Sequence, residues 1–238
     1  DIVTGATSSS PTAIVRIGST LYFSAFDSTN GIELWKSDGT AAGTVLVKNI
    51  AAGSASSTPA NLTAVGTTLF FTANDAVNGV ELWKSDGTDA GTVMVANINP
   101  AASTGSSPAN LTAVGSTLFF QANDGTNGIE LWKSDGTAAG TVLVKKKNAG
   151  SENSSPAILR AMGGVLYFAA TTAANGGELW KSDGTLAGTV MVSEIAGGAT
   201  SSSPANLTVV GSNLFFSAFT SASGTELWKS DGTAAGTV

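Results

Sequence analysis

Short hydrophobic segments recur along the chain in groups of four, and polar, glycine-rich stretches separate them. In the second group the segments are residues 62–65, 68–73, 80–84 and 92–98. They are rich in Val, Leu, Phe and Thr, residue types that favour strands over helices. The pattern therefore predicts an all-β chain in which each group of four segments forms one small antiparallel sheet.

An octapeptide defines the repeat, because Glu-Leu-Trp-Lys-Ser-Asp-Gly-Thr occurs five times without a change. The repeats cover approximately residues 1–45, 46–93, 94–142, 143–190 and 191–238. Four strands in a unit of about 48 residues are typical of a propeller blade. The sequence thus predicts one domain over residues 1–238, a five-bladed β-propeller with four antiparallel strands per blade.

The turns between the segments fit this prediction. Gly66-Thr67 joins the first and second segments of the second repeat, and a Gly occupies the same place in every repeat, including Gly163-Gly164. Gly in the first central position favours a type II′ hairpin. The second and third segments are joined by a polar loop, and the third and fourth by Ser-Asp-Gly-Thr-x-Ala-Gly-Thr.

The ends of the chain fall within one segment of the repeat. Asp1-Ile2 aligns with residues 49–50 at the end of a fourth segment, and Val238 aligns with Val45 at its start. The alignment predicts a chain cut inside an outer strand and, if the ring closes, a monomer. The alternative is five repeats taken from a longer array, with neighbouring repeats or a second chain completing the strand.

The octapeptide, the following x-Ala-Gly-Thr-Val and a segment such as Leu46-Val47-Lys48-Asn49-Ile50 resemble the ELWxxDGT repeat family. The match covers essentially the whole chain. The resemblance implies a propeller-like architecture and an extracellular or cell-surface location, because the family occurs as tandem arrays in large, mostly bacterial, secreted or surface proteins. It implies no defined activity and no set of binding residues.

Composition narrows the classes of function. The chain has a net charge of −6 and contains neither Cys nor His, which removes Cys–His and Ser–His–Asp catalysis and Cys-type zinc sites. Net acidity argues against nucleic acid, and no apolar run is long enough for membrane insertion. The carboxylates recur in equal surroundings, whereas acid–base catalysis needs unlike ones. We therefore expect the chain to have no enzymatic activity, no cofactor and no bound metal.

Two sets of repeated residues are interpreted as structural. The tryptophans are expected to pack between neighbouring blades rather than to form an aromatic platform for sugars; they are Trp35, Trp83, Trp132, Trp180 and Trp228. The aspartates of the octapeptide are expected to stabilise a turn through side-chain to backbone hydrogen bonds; they are Asp38, Asp86, Asp135, Asp183 and Asp231.

The loop between the second and third segments is the candidate ligand face. Its candidate residues are Asp27, Asn30, Asp75, Asn78, Asp124, Asn127 and Asn175. The spacing of a calcium loop is not met, so a turn is the better interpretation. In an up-and-down blade these loops and the Ser-rich linkers emerge on one face. Both vary between repeats, and loops on a rigid scaffold often carry recognition, although drift at unconstrained positions is the alternative.

Two hypotheses for function remain. The first is a non-enzymatic, lectin-like binding module, multivalent for a glycan or a cell-surface protein, since similar blades offer several weak sites that act together. The second is a structural repeat or spacer without a ligand, produced by recent amplification of one blade or by engineering.

Overall fold

The structure, a computed structural model, describes residues 1–3, 5–101, 103–146 and 152–238. Within these residues the chain forms nineteen β-strands. The strands assemble into five antiparallel sheets, four of them four-stranded and one three-stranded. The predicted all-β class and the small antiparallel sheets are therefore confirmed. Closure into one five-bladed ring, the single-domain organisation and the cut inside an outer strand stay predictions.

The sheets follow the repeats in order. The first contains β1 (Thr12–Ile17), β2 (Thr20–Asp27), β3 (Gly31–Ser37) and β4 (Val45–Lys48). The second contains β5 (Ala60–Val65), β6 (Thr68–Asn74), β7 (Val80–Ser85) and β8 (Val93–Ala96). The third contains β9 (Ala109–Val114), β10 (Thr117–Asn123), β11 (Ile129–Ser134) and β12 (Val142–Lys145). The fourth contains β13 (Ala157–Met162), β14 (Val165–Thr172), β15 (Gly176–Ser182) and β16 (Val190–Ser193). The fifth contains β17 (Ala205–Val210), β18 (Asn213–Thr220) and β19 (Gly224–Ser230).

The hairpin between the first and second strands differs from the predicted turn type in one repeat. Gly66 has a φ of 60° and Thr67 does not have a positive φ, which agrees with a type II′ turn. Gly163 and Gly164 have φ values of 59° and 79°, and positive φ at both central positions is the signature of type I′. The type II′ prediction is wrong for this turn, because a second glycine permits the other geometry.

The chain divides into two compact units. The first contains residues 1–111 and 136–141, and the second contains residues 112–135 and 142–238. The division falls within the third repeat. No helix that could span a membrane occurs in the described part of the chain.

The core of the first unit lies between its neighbouring sheets. Its main cluster consists of Tyr22, Leu34 and Val47 from the first sheet and Ile50 just after it, with Leu69, Phe71, Ala73 and Trp83 from the second sheet. A smaller cluster contains Phe23, Ala25 and Trp35, with Ile2 packed against it. Burying each large side chain contributes about 1.5–3 kcal/mol, so contact between sheets is a major source of stability.

The second unit has the same construction. One cluster joins the third and fourth sheets through Phe119, Leu131 and Val144 with Leu159, Leu166, Phe168, Ala170 and Trp180. Another joins the fourth and fifth sheets through Met162, Tyr167, Leu179 and Val192 with Leu207, Leu214, Phe216 and Ala218. Equivalent positions of the repeat thus meet in both units.

Candidate functional site: the loops between second and third strands

The Asp-Gly turn after the third strand is held by its own side chains. In the second sheet, Asp86 Oδ1 accepts hydrogen bonds from Thr88 N at 2.8 Å and Thr88 Oγ1 at 2.7 Å. Ser85 Oγ accepts one from Gly87 N at 2.9 Å and lies 2.7 Å from Thr92 Oγ1. The turn therefore forms from residues close in sequence.

The same aspartate bonds recur in other sheets. They form at Asp38, Asp183 and Asp231, and Asp135 occupies the matching position in the third sheet. The side-chain bond from Thr88 and then its backbone bond lower the pKa of Asp86, since both favour the carboxylate. The structure thus places these aspartates in turns, with their carboxylates at the protein surface.

A buried glutamate ties each of the first four sheets to the linker that follows it. Here "linker" means the segment between the fourth strand of one repeat and the first strand of the next. Glu33 Oε2 accepts hydrogen bonds from Ile50 N at 3.0 Å and Ser57 Oγ at 2.5 Å. Its Oε1 accepts from Ala51 N at 3.2 Å and Ser57 N at 3.0 Å. One carboxylate therefore fixes both ends of the linker.

The glutamate contact recurs in both units. Glu81 accepts from Ile98 N, Asn99 N, Ser106 N and Ser106 Oγ. Glu178 accepts from Ile195 N, Ala196 N, Ser202 N and Ser202 Oγ, and Glu130 accepts from Ser154 Oγ. Burial raises the pKa of Glu33 above its ordinary value of 4.5, although its four hydrogen bonds act in the opposite direction.

Sequence reasoning did not predict this contact, although the sequence contains a signal for it. The linkers vary, yet each keeps a Ser two residues before its Pro: Ser9, Ser57, Ser106, Ser154 and Ser202. A constant residue inside a variable segment indicates a required contact. For four of these serines, that contact is the buried glutamate of the preceding octapeptide.

A second contact between sheets uses the lysine and glycine of the octapeptide. Lys36 Nζ donates to the Gly87 carbonyl at 2.7 Å, and Lys84 Nζ donates to the Gly136 carbonyl at 2.8 Å. In the second unit the pairs are Lys133 with Gly184 and Lys181 with Gly232, both at 2.8 Å. We call this recurring contact the joint; in it the lysine of one sheet reaches the glycine of the next.

The glycine of the joint also lies against an aromatic ring of the preceding sheet. A Cβ on Gly136 would lie 3.2 Å from Phe70 Cζ, and a Cβ on Gly184 would lie 3.2 Å from Phe119 Cζ. Gly136 also has a φ of 90°, a conformation that residues with side chains rarely adopt. Glycine is thus required here both by the backbone and by the close approach.

Three tryptophans, Trp35, Trp83 and Trp180, belong to core clusters, and Trp228 packs against one. Trp35, Trp83 and Trp180 are buried, whereas Trp132 and Trp228 are half-buried. Each pairs across the second and third strands with a phenylalanine, as Phe71 does with Trp83, whose ring centroids are 6.5 Å apart. Such packing leaves little aromatic face for a sugar ring.

The candidate Asp and Asn side chains of each loop lie together and hold the loop in one shape. Asp75 Oδ1 accepts from Val77 N at 2.9 Å and Asn78 N at 2.7 Å, and its Oδ2 accepts from Asn78 Nδ2 at 2.6 Å. Burial raises the pKa of Asp75, but these hydrogen bonds outweigh it and hold the pKa below its ordinary value. The Asp–Asn pair is therefore the frame of the loop.

The same frame recurs in the other loops. Asp27 with Asn30 and Asp124 with Asn127 form the equivalent bonds, and in the fourth sheet Thr172 Oγ1 replaces the carboxylate and accepts from Asn175 N at 3.1 Å. The asparagine also binds the linker, since Asn30 Oδ1 accepts from Asn49 Nδ2 at 2.8 Å. Loop and linker therefore lie side by side at the same end of the sheet.

The two residues at the tip of each loop are what the frame presents to solvent. They are Ser28-Thr29, Ala76-Val77, Gly125-Thr126, Ala173-Ala174 and Ser221-Ala222, all exposed and different in every repeat. Val77 is 74% exposed. Sequence reasoning singled out the frame and passed over these tips, although their variation was visible in the repeat alignment.

No metal centre is evident in the part of the chain that the structure describes, where no three Asp or Glu side chains come together. The carboxylate of Asp75 is already occupied by N–H donors of its own loop. In the second unit, a cleft of about 230 Å³ is lined by small residues, among them Ser155, Ser201 and Ser203. It contains no charged side chain.

Sequence comparisons give no match with any protein-family model or any curated protein. The resemblance to the ELWxxDGT family therefore stays an expectation.

Solved structures do resemble the fold. The computationally designed Ika8 protein is 14% identical, with a TM-score of 0.53, over 99% of this chain and 62% of that chain. A puromycin hydrolase is 14% identical, with a TM-score of 0.58, over 96% of this chain and 38% of that one. A prolyl endopeptidase structure is 16% identical, with a TM-score of 0.57, over 95% and 33%.

The chain thus spans less than two thirds of the length of each of these proteins. At such low identity the likeness concerns the fold alone. The chain is an all-β repeat protein with a propeller-like fold.

Proposed function

We propose that the chain is a non-enzymatic propeller module that binds a multivalent partner, a glycan or a cell-surface protein, through the tips of the loops between second and third strands. The observation that carries the proposal is the contrast within each loop. A frame of Asp with Asn in the first three loops, and of Thr with Asn or Ser in the last two, holds the backbone, while two exposed residues at the tip differ from repeat to repeat. Rigid frames with variable tips are suited to recognition.

The repeated carboxylates support a non-enzymatic function. Glu33, Glu81 and Glu178 each have both oxygens occupied by linker donors inside the protein. Asp86 is engaged by its own turn. None of these groups is arranged as a pair of unlike acids and bases.

An extracellular or cell-surface location is part of the proposal. Its support is the resemblance of the octapeptide repeat to the ELWxxDGT family, whose members are mostly secreted or surface proteins. Several weak, similar sites on one scaffold gain affinity together on a surface that displays many copies of the ligand.

Binding to a glycan array, with and without Ca²⁺, followed by calorimetry on any hit, tests the proposal. The informative variant combines Thr29→Ala, Val77→Ser and Thr126→Ala, all at loop tips. The matched control is Leu186→Ser, because Leu186 is 65% exposed but lies in the turn between third and fourth strands. We expect the tip variant to lose binding and the control to retain it. Absence of any glycan hit would rule out a glycan as the partner. Equal binding by both variants would rule out the loop tips as the binding site.

A structural repeat without a ligand is the second candidate. The invariant octapeptide favours it, because Glu, Leu, Trp, Lys, Asp and Gly of that segment all have structural contacts. Failure to bind glycans and extracellular protein domains, combined with a stable fold, is the result expected from this candidate.

A further inference from the structure

The cleft of about 230 Å³ in the second unit is formed by the fourth sheet and the linker that leads to the fifth. Its wall combines four hydroxyl side chains with small apolar ones, and none of the described residues that line it is charged. We call it the hydroxyl cleft; its hydroxyl side chains belong to Ser155, Thr171, Ser201 and Ser203. A neutral wall of this kind suits a ligand that is polar but uncharged.

The space of the cleft comes from small residues that are particular to the fourth repeat. Gly177 has larger equivalents in the other repeats, which are Ile32, Val80, Ile129 and Thr225. Ala169 also has larger equivalents, which are Ser24, Thr72, Gln121 and Ser217. A Cβ placed on Gly177 would lie 3.4 Å from both Ser201 Oγ and Thr171 Oγ1. The open position beside Gly177 is therefore flanked by two hydroxyl groups.

The linker side of the cleft is held in place by the fourth sheet. Ser201 Oγ accepts a hydrogen bond from Gly177 N at 2.8 Å, and Ser203 N donates to Gly177 O at 3.1 Å. Ser202, between them, is completely buried and its Oγ donates to Glu178 Oε2 at 2.6 Å. Ser201 and Ser203 are thus presented in fixed positions, which reduces the entropy that a ligand must remove on binding.

Three of the hydroxyl groups keep hydrogen-bonding capacity for a ligand. Within the described residues, Ser155 Oγ and Ser203 Oγ have no protein partner, and both residues are exposed. In the same part of the chain, Ser201 Oγ accepts a bond from Gly177 N and donates none. A hydroxyl group can donate one hydrogen bond and accept two, so this wall matches a ligand that is itself rich in hydroxyl groups.

Ile158 gives the cleft an apolar side at a position that is polar in most repeats. Its φ is 54°, in a region that β-branched residues rarely adopt. Three repeats have asparagine at the equivalent position, namely Asn61, Asn110 and Asn206. In the second sheet, Asn61 Nδ2 donates to Thr72 Oγ1 at 3.2 Å, whereas Ile158 and Ala169 replace this pair in the fourth sheet. The fourth repeat therefore has apolar surface next to the hydroxyl groups.

We propose that the hydroxyl cleft binds one ring of an uncharged sugar. The hydroxyl groups of Ser155, Ser201 and Ser203 bond to those of the ring, while Ile158 and Pro204 contact its C–H groups. The cleft is smaller than the roughly 300–1,000 Å³ of pockets for drug-sized ligands, which suits a single ring. A sugar that carries a carboxylate is disfavoured, because the wall offers that charge no cation. This site goes beyond the proposed function, since it is separate from the loop tips.

NMR titration of the nitrogen-15-labelled chain with glucose, galactose and N-acetylglucosamine tests the proposal. At least one of these sugars should shift the amide signals of Gly177, Ser201 and Ser203. Gly177→Ile should weaken its binding by about tenfold or more, because the added side chain fills the space. Gly177 does not have a positive φ, and the first repeat has isoleucine at the equivalent position, Ile32. Val80→Ile is the matched control, since it makes the corresponding change outside the cleft, and it should bind as wild type does.

Ser203→Ala distinguishes a lost ligand contact from a damaged fold. Because Ser203 Oγ has no protein partner within the described residues, the substitution should leave the melting temperature unchanged. It should weaken sugar binding by about fivefold, the value of one hydrogen bond. Glucuronate should bind more weakly than glucose. Unchanged sugar affinity in Ser203→Ala, or tighter binding of glucuronate, would contradict the proposed chemistry even if Gly177→Ile fails to fold.

The loop-tip variant separates this site from the proposed function. The chain with Thr29→Ala, Val77→Ser and Thr126→Ala should bind the free sugars as wild type does, so failure of the loop tips as a binding site leaves the hydroxyl cleft intact. Loss of sugar binding in that variant would instead place the sugar at the tips and overturn the inference. Absence of sugar-dependent shifts at Gly177, Ser201 and Ser203 also overturns it, as does equal sugar affinity of wild type and a folded Gly177→Ile variant.

Discussion

The octapeptides at residues 81–88 and 226–233 have the same sequence, yet the first four side chains of the later copy are more exposed than those of the earlier one. Leu82 is completely buried and Leu227 is 75% exposed. Glu81 is buried with four hydrogen-bond donors around it, whereas Glu226 is exposed. The difference shows that the linker and the following sheet, rather than the octapeptide itself, determine the burial of the third strand.

The turn that ends each octapeptide does not share this difference. Asp86 and Asp231 both accept hydrogen bonds from the Thr two residues ahead, at 2.8 Å from its N and 2.7 Å from its Oγ1. Ser230 Oγ lies 2.8 Å from Thr237 Oγ1, and the equivalent pair in the second sheet lies at 2.7 Å. The octapeptide therefore contains a locally determined turn and a strand whose surroundings are supplied from elsewhere.

Truncation of Leu82 and of Leu227 should give the largest difference in unfolding free energy between the two octapeptides. Leu82→Ala leaves a cavity in the core and should cost about 2–5 kcal/mol of unfolding free energy. Leu227→Ala, measured on the monomer, should change it by less than about 0.5 kcal/mol because the side chain is at the surface. Urea denaturation followed by tryptophan fluorescence measures both. Similar costs at the two positions would contradict the exposure of Leu227 at the surface.

Alanine at the glycine of the Asp-Gly turn should give a smaller difference between the first and third sheets. Gly39 and Gly136 have φ values of 94° and 90°, so alanine at either place costs about 1–2 kcal/mol of backbone strain. Gly136→Ala should cost about 1 kcal/mol or more beyond that, because its Cβ would press on Phe70. Denaturation of the two variants side by side measures the excess, and its absence would mean that the aromatic ring is not held against Gly136.

Acid sensitivity should be the same in the two octapeptides. The threonine bonds lower the pKa of both Asp86 and Asp231 below the ordinary value of 3.8. A lowered folded-state pKa gives stability that is complete above 3.8 and is lost as pH falls through the folded pKa. Asp86→Asn and Asp231→Asn should therefore weaken the acid dependence of stability equally. Unequal effects in thermal melts at acidic and neutral pH would show that the turn depends on its surroundings.

The smallest expected effect is a gain in stability in the first sheet. Ala13 is exposed and has a φ of 53°, where Asn61, Asn110 and Asn206 occupy the equivalent place with φ of 55–57°. Asparagine tolerates the left-handed region better than alanine. Ala13→Asn should raise the unfolding free energy by up to about 1 kcal/mol. The control is Thr12→Asn, because the neighbouring Thr12 is also exposed but does not have a positive φ. Thermal melts of the two variants should show a gain for Ala13→Asn alone, and an equal gain from both would contradict the backbone explanation.

The sequence predicted those parts of the fold that depend on local pattern. The segments predicted at residues 68–73 and 80–84 lie inside β6 and β7, whose residues are mostly buried. The fourth segment was predicted at residues 92–98, but the strand is Val93–Ala96. It ends early because Ile98 N turns to donate to Glu81, a contact between positions 17 residues apart that no local pattern reveals.

The candidate site was predictable to a similar extent. The loops between second and third strands were identified from Asp, Asn and Gly, and the structure assigns Asp75 and Asn78 to the frame of the loop. Which residues remain exposed depends on how that frame folds, so Ala76 and Val77 could not be separated from it by residue type alone. The identity of a ligand depends on these tips and follows from no motif.

Replacement of the octapeptide glutamate tests most directly the claim that the linker and the following sheet make each octapeptide part of the core. Both oxygens of Glu81 face N–H or O–H donors, so in Glu81→Gln the amide nitrogen must face a donor in either orientation. We predict that Glu81→Gln lowers the unfolding free energy by about 2 kcal/mol or more, and that Glu226→Gln changes it by less than about 0.5 kcal/mol in the monomer. Equal effects of the two substitutions would contradict the claim.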